Sequence, residues 1–153
     1  MTIAITITPG DPRAPEALAL LAASHAFMAG RYPPEHNYQL DAHALTGPGV
    51  SFFIARMGEQ AVGCGAVATA NGHGEIKSMF VDPAARRTGL GLRLLAALEG
   101  VARDAGVAML YLETGIHEAA AIGLYEKAGF RRCGPFGDYP ENPYSVFMEK
   151  RLD

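Results

Sequence analysis

The most explicit chemistry in this chain lies in Arg86-Arg87-Thr88-Gly89-Leu90-Gly91, placed between a strand-like run and an amphipathic helical one. The first turn of a helix carries N–H groups with no partner inside the helix, together with the positive end of its dipole. Glycines there let the backbone approach an anion with no Cβ in the way. Such a turn suits a pyrophosphate, and Arg86 and Arg87 add positive charge beside it. Other phosphate loops do not fit. There are only two glycines, no Gly-Lys-Ser/Thr follows, and an antiparallel meander precedes the turn. Two glycines at this spacing also suit a tightly packed helix start, so the surroundings must decide.

The other reactive residue types are dispersed. No Gly-x-Ser-x-Gly elbow or Cys/His pattern suggests a covalent nucleophile. His25, His36, His43, His73 and His117 do not fall at metal-ligand spacing, and no metal is expected. Cys64 and Cys133 are far apart and read as reduced thiols rather than a disulfide framework.

These residues need elements to position them. Thr2 to Thr8 alternates with period 2 and reads as a strand, closed by Pro9-Gly10-Asp11-Pro12. Pro15 to Ala29 reads as a helix, with Leu18, Leu21, Ala22 and Met28 on its apolar side. Glu35 to Gly49 has no clear period and reads as loop with one short helix at most. Val50–Met57, Ala61–Ala70 and Glu75–Val81 read as strands of an antiparallel meander, joined at Gly58-Glu59-Gln60 and Asn71-Gly72-His73-Gly74. Glu75, Lys77, Met79 and Val81 are expected on one face of the third strand. A long helix follows Gly91, with Leu90, Leu94, Leu98, Val101, Ala102 and Ala105 on one face and Gly106 at its C-terminal cap. Val107–Thr114 reads as a strand buried on both faces. Strand, helix, strand makes a right-handed βαβ unit, so Glu75–Val81 and Val107–Thr114 should be parallel. Glu118–Ala128 reads as a helix ended by Gly129, with Phe130–Cys133 and Ser145–Arg151 as closing strands.

The bulk properties bound the rest. A chain of 153 residues with no repeat or linker reads as one domain over 1–153. Its 49% apolar and 19% charged residues are those of an ordinary globular protein. A formal net charge of −3 gives no electrostatic reason to expect nucleic acid or an anionic membrane as partner. The opening MTIAITITPGD lacks the basic flank and long apolar core of a signal peptide, so a cytoplasmic location is expected.

Arg86, Gly89 and Gly91 match the pattern Arg/Gln-x-x-Gly-x-Gly/Ala. Ala121-Ile122-Gly123-Leu124-Tyr125-Glu126-Lys127-Ala128-Gly129-Phe130 matches Ala-x-x-Leu-Tyr-x-x-x-Gly-Phe. Two motifs in this order and at this separation resemble the GNAT family of N-acetyltransferases, closely over the C-terminal half and in element order before it. The resemblance implies an α/β fold: a mixed, mostly antiparallel sheet whose parallel pair splays apart to admit the pantetheine arm of acetyl-CoA.

The resemblance also implies roles. The backbone of Met79, Phe80 and Val81 would hold the pantetheine. Arg86, Arg87, Thr88, Gly89, Leu90, Gly91 and Leu92 would cradle the CoA pyrophosphate. Tyr125 would be the acid at the leaving sulfur, or else an amphipathic core tyrosine. Glu75 would be the base, or else a solvated strand-end carboxylate. The family often has Asn where this chain has Glu118, and that role is not carried over. The implied reaction is direct transfer of acetyl to a primary amine of a small molecule, amino acid or peptide, with neither nucleic acid nor membrane as partner and a homodimer left open. An acyl-CoA sensor without turnover, or a transferase with another acyl chain or acceptor, is the alternative.

Overall fold

The computed structural model describes residues 3–152. Seven strands form one sheet in the order β1-β2-β3-β4-β5-β7-β6. The strands are β1 (Ile5–Pro9), β2 (Val50–Met57), β3 (Gln60–Ala70), β4 (His73–Val81), β5 (Met109–Gly115), β6 (Arg131–Cys133) and β7 (Ser145–Arg151). Among the described residues three α-helices accompany the sheet: α1 (Pro15–Ala29), α2 (Leu90–Asp104) and α3 (Ala119–Lys127). Short 3₁₀ turns occupy Pro34–His36, Ala44–Thr46 and Pro83–Ala85. Every strand pair is antiparallel except β4–β5, so the α/β mixed sheet expected from the sequence is present. Among the described residues no helix is long and apolar enough to cross a membrane.

Most element boundaries fall where periodicity put them, and the departures have local causes. The first strand begins at Ile5, and Thr2 lies outside the described residues. The β3–β4 turn is shorter than expected. Asn71 and Gly72 both take positive φ (53° and 79°), a two-residue hairpin turn that pairs Ala70 with His73 and adds two residues to β4. On α1 the buried residues are Ala17, Leu20, Leu21 and Ser24, whereas Leu18 is 45% exposed. Apolar residues lie all around this helix, so period alone could not choose its face. The chosen stripe carries small Ala17 and Ser24, which allow close approach to the sheet. Ala105 is exposed because it is the C-cap of α2 rather than part of its buried stripe.

The strand expected to be buried on both faces alternates instead. Leu110 and Leu112 are buried, while Met109, Tyr111 and Glu113 are half-buried. The second face of β5 is covered by a loop, not by a helix: Phe136 stacks on Tyr111 with ring centroids 4.8 Å apart.

Two features of the sheet matter for function. The parallel pair is short: His73, Gly74 and Glu75 pair with Met109, Leu110 and Tyr111, and no further. Beyond that point β4 stays with β3 and β5 stays with β7, so the sheet opens. The second feature is a bulge in β4. Cys64 pairs with Phe80 and Ala66 with Lys77, leaving two residues opposite Gly65, and Ser78 sits there at φ 56°. The bulge shifts the alternation by one. Met79 joins Ile76 in the core beneath α2, so the expected common face of Glu75, Lys77, Met79 and Val81 does not form.

Candidate active site

The opened sheet frames a cavity of about 570 Å³. One wall is Ile76 to Val81 of β4 and the other is Leu112 to Gly115 of β5. α1 and the segment after it close one end, and the start of α2 closes the other.

The α2 end is built by a chain of local constraints. Asp82 Oδ1 accepts from Ala84 N at 2.9 Å, which starts the 3₁₀ turn. Thr88 Oγ1 donates to Ala85 O at 2.7 Å. Arg87 takes φ 65° and Gly89, the N-cap, φ 81°, so the backbone enters α2 through two left-handed residues. No side chain caps the helix, and its first turn holds no acidic residue. The first-turn N–H groups thus have no side-chain partner, and Gly89, Leu90, Gly91 and Leu92 line the cavity, an arrangement that suits an anion. Gly91 has a second reason to be glycine: a Cβ there would lie 2.9 Å from Leu124 Cδ2 of α3.

Met79, Phe80, Val81, Arg86, Arg87, Gly89, Leu90, Gly91 and Leu92 all line the cavity. Thr88 does not, since its hydroxyl is engaged within the turn.

Tyr125 is held in place by the end of α3. Phe130 N bonds Tyr125 O, and Gly129 N bonds Glu126 O, both at 3.0 Å, with Gly129 at φ 101°. This paired arrangement brings the Phe130 ring edge-on to Tyr125, centroids 6.0 Å apart. Tyr125 is 7% exposed and lines the cavity. Burial, with a smaller contribution from the charge of Glu113, raises its pKa well above the ordinary phenol value, so it stays protonated.

Glu75 lies elsewhere. Its carboxylate accepts from Tyr139 OH at 2.5 Å and from Lys77 Nζ at 3.1 Å, and it does not line the cavity. Lys77 Nζ also donates to Tyr139 OH at 2.6 Å, which fastens the loop after β6 onto β4. Burial, then the bond to Glu75, pushes the Tyr139 phenol up as well.

Glu113, Glu118 and Tyr32 also line the cavity and had no role assigned from the sequence. Glu113 projects from β5 and accepts from Ser145 Oγ at 2.7 Å. Burial raises its pKa, opposed by the Ser145 bond and by Lys77. Glu118 flanks α3 and accepts from Arg31 Nε at 2.9 Å and Tyr32 OH at 2.6 Å. Tyr32 OH in turn accepts from His117 N at 3.0 Å, and burial pushes this phenol up to about 12. Arg31, Tyr32 and Glu118 thus tie the end of α1 to the start of α3. Of the histidines placed in the patternless segment, His36 lines the cavity and His43 is exposed on its own turn.

The sequence model of the Acetyltransferase (GNAT) family matches residues 17–130. A curated relative, IAA acetyltransferase of Azospirillum brasilense, is 43% identical over 150 residues, covering 97% of this chain and 98% of its own length. A crystal structure from Klebsiella pneumoniae, provisionally titled an acyl-CoA N-acyltransferase, is 39% identical with a TM-score of 0.83 and covers 97% of this chain and 98% of its own. A Bacillus anthracis structure, provisionally titled a streptothricin acetyltransferase, was solved in complex with acetyl coenzyme A. It is 26% identical over 76% of this chain and 71% of its own, with a TM-score of 0.65.

The α2 end yields a binding prediction. Gly91→Glu adds a negative charge and a side chain at the anion-facing turn and should weaken CoA binding at least about 100-fold by calorimetry. Gly91→Ala need only displace the end of Leu124 and should lose less than about ten-fold. Parental affinity in a folded Gly91→Glu variant would mean that the pyrophosphate lies elsewhere.

Proposed function

The chain belongs to the GNAT family of acetyltransferases and is an acetyl-CoA-dependent N-acetyltransferase, and from that premise we propose direct transfer of acetyl to a primary amine, with Tyr125 acting at the sulfur and Glu113 as base. The observation that carries this reading is the pair of oppositely suited groups on one cavity: a buried phenol kept protonated and a half-buried carboxyl bonded by Ser145 of β7. A site for binding alone would need neither.

The fit to acetyl-CoA rests on the two ends of the cavity. The uncapped start of α2, with Arg86 and Arg87, suits the pyrophosphate. The gap between β4 and β5 exposes strand edges whose backbone groups suit the amides of the pantetheine arm. The thioester supplies the activated acetyl group.

An ammonium loses two protons on becoming an amide. Glu113 removes one, which frees the lone pair to form the nitrogen–carbon bond. As the carbon–sulfur bond breaks, Tyr125 donates its proton to the leaving sulfur and is reprotonated by the second proton, which the nitrogen gives up. A phenol with its pKa raised above that of a thiol is a weak acid, so much of its effect is a hydrogen bond to developing negative charge. The raised pKa of Glu113 makes it a stronger base than an ordinary carboxylate once ionised. Glu75, expected from the sequence to be the base, has its carboxylate engaged by Lys77 and Tyr139. Its proposed part is to hold that network, through which Lys77 acts on Glu113.

Tyr125→Phe should keep CoA affinity and slow kcat by roughly ten- to a thousand-fold, the scale of losing one donor at the leaving group. A parental kcat would make Tyr125 a packing residue.

The pH profile separates the two carboxylates. The base must be ionised, so kcat/KM should fall as pH drops through the Glu113 pKa, which burial places above the ordinary carboxylate range. Glu113→Gln should remove that limb and lower kcat/KM by about 100-fold or more, while Glu75→Gln keeps the limb. The opposite outcome would return the base to Glu75.

A further inference from the structure

The acceptor end of the cavity carries an unusual concentration of unsatisfied polarity. Among the described residues, five buried side-chain polar atoms have no hydrogen-bond partner: His36 Nδ1, Asn37 Oδ1, Tyr38 OH, Gln39 Oε1 and Ser78 Oγ. All five belong to residues lining this one cavity, and four of them are consecutive. Buried polar atoms are normally paired, and leaving one unpaired costs stability. Four in a row are explained if a ligand pairs with them.

Their position assigns them to the acceptor rather than to CoA. Tyr38 packs edge-on to Tyr139, centroids 5.1 Å apart, and Tyr139 is bonded to Glu75 at the narrow end of the splay. The pyrophosphate turn follows Val81, six residues further along β4, about 20 Å away at the rise of a strand. Gln39 is fixed from the other side, since its Nε2 donates to Ser24 Oγ at 2.8 Å and leaves Oε1 as the inward atom.

The chemistry of these atoms selects the partner. The amide oxygens of Asn37 and Gln39 only accept, and the phenol and hydroxyl accept as readily as they donate. Glu113 adds a carboxylate whose one hydrogen bond among the described residues comes from a hydroxyl. The nearby cations are already engaged: Lys77 with Glu75 and Tyr139, and Arg31 with Glu118 and the His117 carbonyl. Among the described residues, the acceptor end therefore offers acceptors and negative charge, and the other cations lining the cavity, Arg86, Arg87 and Lys127, belong to the α2 turn and the end of α3. We infer that the acceptor is an amine with further N–H or O–H donors and no carboxylate, such as a diamine, amino alcohol or amino sugar, whose second donor group is held by Asn37, Tyr38 and Gln39. This rests on the reading that the cavity takes an amine beside acetyl-CoA.

Three probes of equal chain length test it: 1,5-diaminopentane, 1-aminopentane and lysine. Their affinities are read by calorimetry on CoA-saturated protein, so the result stands whether or not any is acetylated, and acetylation measured in parallel tests the broader reading separately. The diamine should bind about ten-fold or more tighter than pentylamine, the scale of a hydrogen bond to a charged group, and tighter again than lysine. Asn37→Leu and Gln39→Leu, each confirmed as folded by circular dichroism, should shrink the diamine's advantage over pentylamine toward one. Lysine binding as tightly as the diamine would overturn the inference. So would a diamine with no advantage over pentylamine, or an advantage unchanged in both variants.

Discussion

The structure depends on the early end of one strand pairing. β4 and β5 share only three residue pairs before each follows its other neighbour. A parallel pair left open inside a sheet exposes backbone donors and acceptors that would otherwise bond each other, and buried groups of this kind need partners. The opening is held by its flanks. β7 pairs with β5 along the whole strand, from Met109–Arg151 to Gly115–Ser145, while the bulge at Ser78 turns the far half of β4 toward β3. Each strand stays bonded through its far edge, so closing the gap would mean moving β3 with β4 or β7 with β5. The cavity is thus a product of sheet register, and a long extended substrate arm can use the edges it exposes.

Helix ends supply what the sheet does not. The start of α2 is reached through Arg87 and Gly89 in left-handed conformation, its first-turn N–H groups have no side-chain cap, and its first residues line the cavity. The end of α3 uses the same backbone region for another purpose. Gly129 at φ 101° closes the helix, and the contact between Phe130 and Tyr125 fixes the phenol. The two helices meet where Gly91 admits Leu124. The start of α2 and the phenol are therefore positioned by one packing contact, which accounts for two sequence motifs about thirty residues apart lining one cavity.

The sequence made these helix ends legible because glycine, arginine and phenylalanine at fixed offsets have few other physical uses. Pairing direction was legible too, from a βαβ order that handedness constrains. Other features left weaker traces. The bulge at Ser78 follows from pairing with β3 and has no local glycine to announce it. It undid the expected common face of β4. The face of α1 was illegible because apolar residues surround it, and tertiary packing chose the stripe with Ala17 and Ser24. Glu113 left a faint signal, a carboxylate in an otherwise apolar strand, yet its environment depends on Ser145, thirty-two residues later. Glu75 shows the reverse: its place on β4 was readable, whereas the bonds from Lys77 and Tyr139 that engage it depend on a loop folded back from beyond β6.

In the proposed reaction acetyl passes directly between two substrates present together in one cavity, with no acetylated form of the protein. The most direct test is the initial-velocity pattern with acetyl-CoA and a turned-over amine varied against each other. Lines that intersect in double-reciprocal plots are predicted, as both substrates must be bound before any product leaves. Parallel lines, with an acetylated protein trapped by mass spectrometry in the absence of amine, would contradict the account.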